Sequence, residues 1–127
     1  MTAPAVHIVA FGFSCGLPPD ADLVFDVRFL SNPNYVDALR PLTGADEPVI
    51  HFMRALPETG PFLERLCSFV DFLLTQYARA EKPQVTIAIG CTGGRHRSVY
   101  VAEALTGHLR AQLGSDVRLT HRELAAA

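Results

Sequence analysis

"QVTIAIGCTGGRHRSVYVAEAL", residues 84–105, runs from one kind of element into another through a glycine turn. Val85, Ile87 and Ile89 alternate with small residues, the pattern of a buried strand. Residues 96 to about 113 read as a long helix, ended by Gly114. Between them stand Gly90, Cys91, Thr92, Gly93, Gly94 and then Arg95, His96 and Arg97 in a row. A strand feeding a helix through so short a turn is a building unit of a layered α/β domain.

The flanking sequence extends that pattern. Residues 5–11, "AVHIVAF", and 22–28, "DLVFDVR", read as strands, with Leu23, Phe25 and Val27 on one face and Val24, Asp26 and Arg28 on the other. "FLSNPNYVDALRPLTGADEP" holds three prolines and reads as loop, with one helical turn near Tyr35 to Leu39. Residues 48–56 suit either a helix or a strand, with a short helix the favoured reading. Residues 61–80 make a longer one, with Pro61 in its first turn and Phe62, Leu66, Phe69, Val70, Leu73, Leu74 and Tyr77 as a stripe of core residues. Residues 116–120 close the chain as a strand. The order is roughly β-β-α-β-α-β over one domain, residues 1–127. The expected fold is α/β and three-layer-like, with a mostly parallel central sheet.

Composition narrows the function classes. The 127 residues are 49% hydrophobic, enough for one core. The net charge of −2 argues against a nucleic-acid binder unless a basic patch forms locally. Three cysteines without a CxxC pair read as reduced thiols of a cytoplasmic protein. Five scattered histidines give no metal-ligand spacing, so neither a metal nor a cofactor is expected. The N-terminus reads as a strand rather than a signal peptide. No stretch approaches the roughly 18 apolar residues of a membrane span.

The loop at 90–98 carries the chemistry. In an open α/β sheet, ligands sit at the carboxyl ends of the strands. The helix that follows begins with unpaired N–H groups and a partial positive charge. Gly93 and Gly94 let backbone amides converge on an anion, Arg95 and Arg97 add charge, and Thr92 and Ser98 add hydroxyls. The expected ligand is a phosphate group. The pattern is neither GxxxxGK[ST] nor GxGxxG.

Cys91 and Arg97 also stand in C-x5-R spacing. That is similar to the signature loop of cysteine-dependent phosphatases, in which a thiolate attacks phosphorus. Asp26 would then be the general acid. Gly90 stands where most such loops carry His. A packed, inert thiol is the alternative reading of Cys91.

"AIGCTGGRHRSVYVAEAL" and "FGFSCGLPPDADLVFDVRFLSNPNYVDALRPLTGADEPV" together resemble the C-terminal domain of RapZ, the RNase adaptor family of bacteria. The resemblance implies an α/β domain similar to the sugar-phosphate kinase fold. It also implies binding of an amino-sugar phosphate such as glucosamine 6-phosphate, contact with small regulatory RNA, and assembly into multimers. Thr92, Gly93, Gly94, His96, Arg97 and Ser98 match the family loop, and Arg95 replaces a Lys. Asp26, Arg28, Asn32, Arg40, Thr43 and Gly44 match as well. At Asn34 some members carry a His that contributes to the ligand site. The family's N-terminal Walker-type domain has no counterpart in these residues, so nucleotide hydrolysis is not expected. "THRELAAA" stands where the adaptor has a basic tail, which weakens the expectation of RNA binding.

Three readings follow. The first is a regulatory module, not itself catalytic, that binds a sugar phosphate or a nucleotide phosphate through Thr92 to Ser98 with Arg28, Asn34 and Arg40. The second is a phosphatase using Cys91 and Asp26. The third is an RNA-binding adaptor. A homo-oligomer, an RNA or a protein partner remains open, and no membrane partner is expected.

Overall fold

The structure is a computed structural model that describes residues 3–125. The outermost two residues at each end, parts of the terminal stretches "MTAPAVHIVAFGFSCG" and "THRELAAA" read above, lie outside the described residues. Four strands form one sheet: β1 (Ala5–Gly12), β2 (Leu23–Asp26), β3 (Gln84–Cys91) and β4 (Val117–His121). Their order is β2-β3-β1-β4, and all three pairings are parallel. The helices are α1 (Glu47–Ala55), α2 (Thr59–Arg79), α3 (Arg97–Leu113) and the short α4 (Arg122–Ala125). The fold is therefore the expected α/β one, with a sheet that is parallel throughout.

Alternation along the strands creates the core. Val6, Ile8 and Ala10 of β1 join Val85, Ile87 and Ile89 of β3 in one buried cluster. Leu66, Val70 and Leu74 of α2 and Val101, Leu105 and Leu109 of α3 close over that face at helical spacing. Truncating one such buried leucine to alanine typically removes about 2–5 kcal/mol. The other face carries His7, Val9 and Thr86. The β1–β2 connection lies beside it, where Pro18, Pro19, Asp22 and Lys82 border a cavity with these residues.

Several boundaries move. Residues 47–55 are helical, as the weak pattern at 48–56 suggested, and α2 begins two residues before Pro61. Pro61 remains in the first turn, where its missing N–H has no acceptor to lose. Phe69 belongs to the α2 stripe by spacing but is 50% exposed, its ring edge-on to Phe25 at 6.4 Å. The sheet ends at β2, and among the described residues no further strand lies beyond that pair. The turn near Tyr35 is a single 3-10 turn at Pro33–Tyr35. Helix α4 had no periodic signal, being four residues long.

Connectivity decides where a ligand can sit. The chain leaves β1 for β2 past β3, and leaves β3 for β4 past β1. The two connections run in opposite directions, so the adjacent tips of β1 and β3 form the switch point of the sheet. Gly12 and Cys91 are register partners at that point.

Candidate functional site

The turn leaving β3, residues 92–96, sits on the switch point and runs directly into α3. Gly94 has φ +76°, the left-handed region that favours glycine. Two glycines let the β1 tip and this turn touch backbone to backbone. A Cβ on Gly12 would lie 2.5 Å from the Gly93 carbonyl carbon, and one on Gly94 would lie 2.5 Å from the Gly12 nitrogen. A third glycine holds the other side. Gly44 donates its N–H to the Arg95 carbonyl at 2.9 Å, and a Cβ there would run into the His96 carbonyl oxygen. The "RPLTG" turn is therefore a buttress for the loop.

The amides of residues 92–96 donate to no acceptor among the described residues, and the α3 N-cap, His96, makes no side-chain capping bond. An uncapped helix start of this kind carries partial positive charge. Beside it lies a cavity of about 200 Å³. Thr92, Gly93, Arg95, His96 and Arg97 line it together with Asn32, Asn34, Arg40 and Cys91.

Arg97 is the unusual group. It is only 5% exposed. Its Nη1 donates to the carbonyls of Arg28 at 2.7 Å and Leu30 at 2.9 Å, and Nη2 reaches Thr92 Oγ1 at 3.5 Å. Nε has no partner among the described residues. All these acceptors are neutral. A buried cation without a carboxylate partner is costly and attracts an anion.

The remaining predicted residues divide by what they touch. His96 is buried, with Nε2 against the Leu39 carbonyl at 3.1 Å, so it ties the loop to residues 36–44. Arg40 bonds the Asn34 carbonyl at 2.9 Å and Asp37 at 2.8 Å, and keeps one edge on the cavity. Arg95 contributes charge at the rim. Gly94 and Ser98 do not line the cavity. Gly94 shapes the turn, and Ser98 is fully buried.

Asp26 and Arg28 lie at the end of β2 and just beyond it, and do not line the cavity. They bind each other: Arg28 Nη2 lies 2.7 Å from Asp26 Oδ2, and the Arg28 guanidinium stacks over Phe13 at 4.0 Å. Hydrogen bonds from Arg28 hold the Asp26 carboxyl below its ordinary value, with partial burial opposing and the charges of Arg28 and Arg97 adding. That is the direction opposite to what a general acid needs at neutral pH. The Cys91 thiol is 3% exposed and donates to Ser98 Oγ at 3.2 Å within the core cluster.

Three contributors lie outside the residues singled out for the site, Asn32 having entered only as a match to the family pattern. Asn32 lines the cavity, and its Oδ1 accepts from the Asn34 N–H at 3.0 Å; the "SNPN" run is a turn signal that could have flagged it. Ser14 donates to the Thr92 carbonyl through N–H at 3.1 Å and Oγ at 2.9 Å. Glu123, 111 positions away in sequence, accepts from the Gly12 N–H at 2.8 Å. Neither of the last two has a local signal. Among the described residues no cluster of His, Cys, Asp and Glu could hold a metal, and no helix is long and apolar enough to cross a membrane.

The chain is 50% identical over 119 residues to a nucleotide-binding protein of Bacillus licheniformis, covering 94% of this chain and 40% of that protein. It is 51% identical over 120 residues to a nucleotide-binding protein of Shouchella clausii, again covering 94% of the chain and 40% of the relative. A nucleotide-binding protein of Bacillus velezensis is 50% identical over 119 residues with the same coverage, 94% and 40%. The chain thus spans about two fifths of the length of these curated relatives. The model of the RapZ C-terminal domain matches residues 4–125, almost the whole sequence. The chain belongs to the RapZ C-terminal domain family.

Proposed function

We propose that the chain is a regulatory module that binds a small phosphorylated ligand, of monosaccharide-phosphate size, at the loop 92–97. One observation carries the reading: a buried Arg97 with only neutral partners stands beside the uncapped amides of the α3 start. A phosphoryl group satisfies both at once, accepting from the amides and compensating the guanidinium.

The rest of the cavity supports a sugar over a nucleobase. Its 200 Å³ falls below the roughly 300–1,000 Å³ of pockets that take drug-sized ligands. Among the described residues no Phe, Tyr, Trp or large aliphatic side chain lines it. Asn32, Asn34 and Arg40 instead offer the hydrogen bonds that hydroxyl or amino groups need. A nucleotide phosphate fits the same loop, with its base left outside. The nucleotide-binding name belongs to the longer relatives, of which this chain matches 40%. The buried Cys91 thiol and the low Asp26 carboxyl support holding a phosphate rather than cleaving it.

A melting series tests the reading. A ligand at 100 times its Kd stabilises by about 2.7 kcal/mol. Glucosamine 6-phosphate should raise the melting temperature most, inorganic phosphate less, and glucosamine without phosphate not at all. If neither sugar phosphates nor nucleotides nor inorganic phosphate shift melting, the proposal fails.

A further inference from the structure

We infer that Glu123, in the last helix, is a positioning residue for the anion loop, an inference that rests on the phosphate-binding reading above. The turn after β1, residues 12–16, lies between two groups of contacts. On one side Ser14 donates twice to the Thr92 carbonyl, at 3.1 and 2.9 Å, and Gly12 packs on the Gly93 backbone. On the other side Glu123 Oε2 accepts from the Gly12 N–H at 2.8 Å, and Arg122 Nη2 donates to the Gly16 carbonyl at 2.6 Å.

Glu123 also reaches the loop directly. Its Cγ lies 2.5 Å from the place a Cβ on Gly94 would take, so the side chain fills the space that this glycine leaves. Only 12% of the side chain is exposed. Arg122 grips the same carboxylate oxygen through Nε at 3.0 Å and Nη2 at 2.8 Å. Burial works against the ionised form, but the Gly12 amide and Arg122 outweigh it, and the carboxyl stays below its ordinary value.

A carboxylate near an anion site is unexpected on charge alone, because like charges repel. Its geometry supplies the reason. Arg122 takes up the charge, and the Gly12 bond fixes the β1 tip against which Gly93 and Gly94 are packed. A loop whose amides converge on a ligand gains affinity when it is ordered before the ligand arrives. Glu123 thus acts through the backbone of residues 12 and 94 and never needs to touch the ligand.

Glu123→Ala and Glu123→Gln separate geometry from charge. The glutamine carboxamide still accepts from Gly12 but carries no charge. Inorganic phosphate is titrated calorimetrically into each variant of the 127-residue chain, and amide hydrogen exchange is followed without ligand. Positioning predicts that Glu123→Ala weakens phosphate binding about tenfold. It also predicts faster exchange at Ser14, whose N–H is held by the Thr92 carbonyl at 3.1 Å, with the amides of Val101 to Leu105 unchanged. Glu123→Gln should bind within about twofold of the parent, so that most of the tenfold loss in alanine is recovered. Because glutamine is isosteric, its affinity stays readable even where the alanine variant melts. Unchanged affinity in Glu123→Ala, tighter binding there, or a glutamine variant as weak as alanine overturns the inference. If the parent takes no phosphate while Glu123→Ala still exchanges faster at Ser14, the binding reading falls and the positioning role stands.

Discussion

Two arginines stand at the carboxyl ends of adjacent strands and have opposite fates. Arg28, past the tip of β2, is exposed and saturated by Asp26 through three side-chain bonds of 2.7–3.1 Å. Arg97, past the tip of β3, is buried and has carbonyls and one hydroxyl for company. An exposed pair of this kind contributes little, since water competes for both ions. A buried guanidinium facing neutral acceptors keeps most of its charge free for a ligand. Neutralisation, not the presence of arginine, separates the end of β2 from the loop after β3.

The largest expected effect tests that contrast at Arg97. Arg97→Ala should lower phosphate affinity on the order of 100-fold, read by calorimetric titration. It should also cost about 1–3 kcal/mol of stability, because the carbonyls of Arg28 and Leu30 lose their donor. Arg97→Lys sharpens the point: it keeps the charge and loses the planar fork, so part of the affinity should remain. Phosphate affinity unchanged in Arg97→Ala would remove the basis of the contrast.

A middle effect concerns the buttress. Gly44→Ala places a methyl group against the His96 carbonyl oxygen. Overpacking of this kind destabilises by about 1–3 kcal/mol. Chemical denaturation should show that loss, and phosphate affinity should fall with it although Gly44 does not line the cavity. A variant as stable as the parent would mean that the loop tolerates displacement.

The smallest effect belongs to the paired arginine. The Asp26 carboxyl is lowered by its bonds to Arg28, so its contribution is present above the ordinary Asp value and fades as pH falls through the folded value. Melting temperature should therefore decline below about pH 4, and Asp26→Asn should flatten part of that decline. At pH 7 Asp26→Asn should change phosphate affinity less than about threefold, slightly upward, since a carboxylate that senses Arg97 is removed. A collapse of binding in Asp26→Asn would show that the two arginines work as one site.

Much of the fold was legible locally. Alternation at Val85, Ile87 and Ile89 and the helical spacing of Leu66, Val70 and Leu74 placed β3 and α2 within two residues. Phe69 was misread because spacing reports a helical face and not what lies beyond it; the sheet ends at β2, and the ring stays half exposed. The site divides in the same way. Thr92, Gly93, Arg95, His96 and Arg97 were readable as one loop, and the cavity is lined by all five. Asn32 entered only through the family resemblance, and Ser14 and Glu123 not at all, because those two reach the loop across fold contacts.

The sequence alone determined the turn chemistry. Two glycines and two arginines between a buried strand and a helix start can be read from residue types, since backbone freedom and charge are local properties. Tertiary structure alone decided which charge is available. Strand order brings Gly12 beside Cys91, the β2 tip turns Asp26 onto Arg28, and the carbonyls of residues 28 and 30 receive Arg97. Burial and pairing depend on what arrives from elsewhere in the chain, and no window of sequence around Arg97 contains those groups.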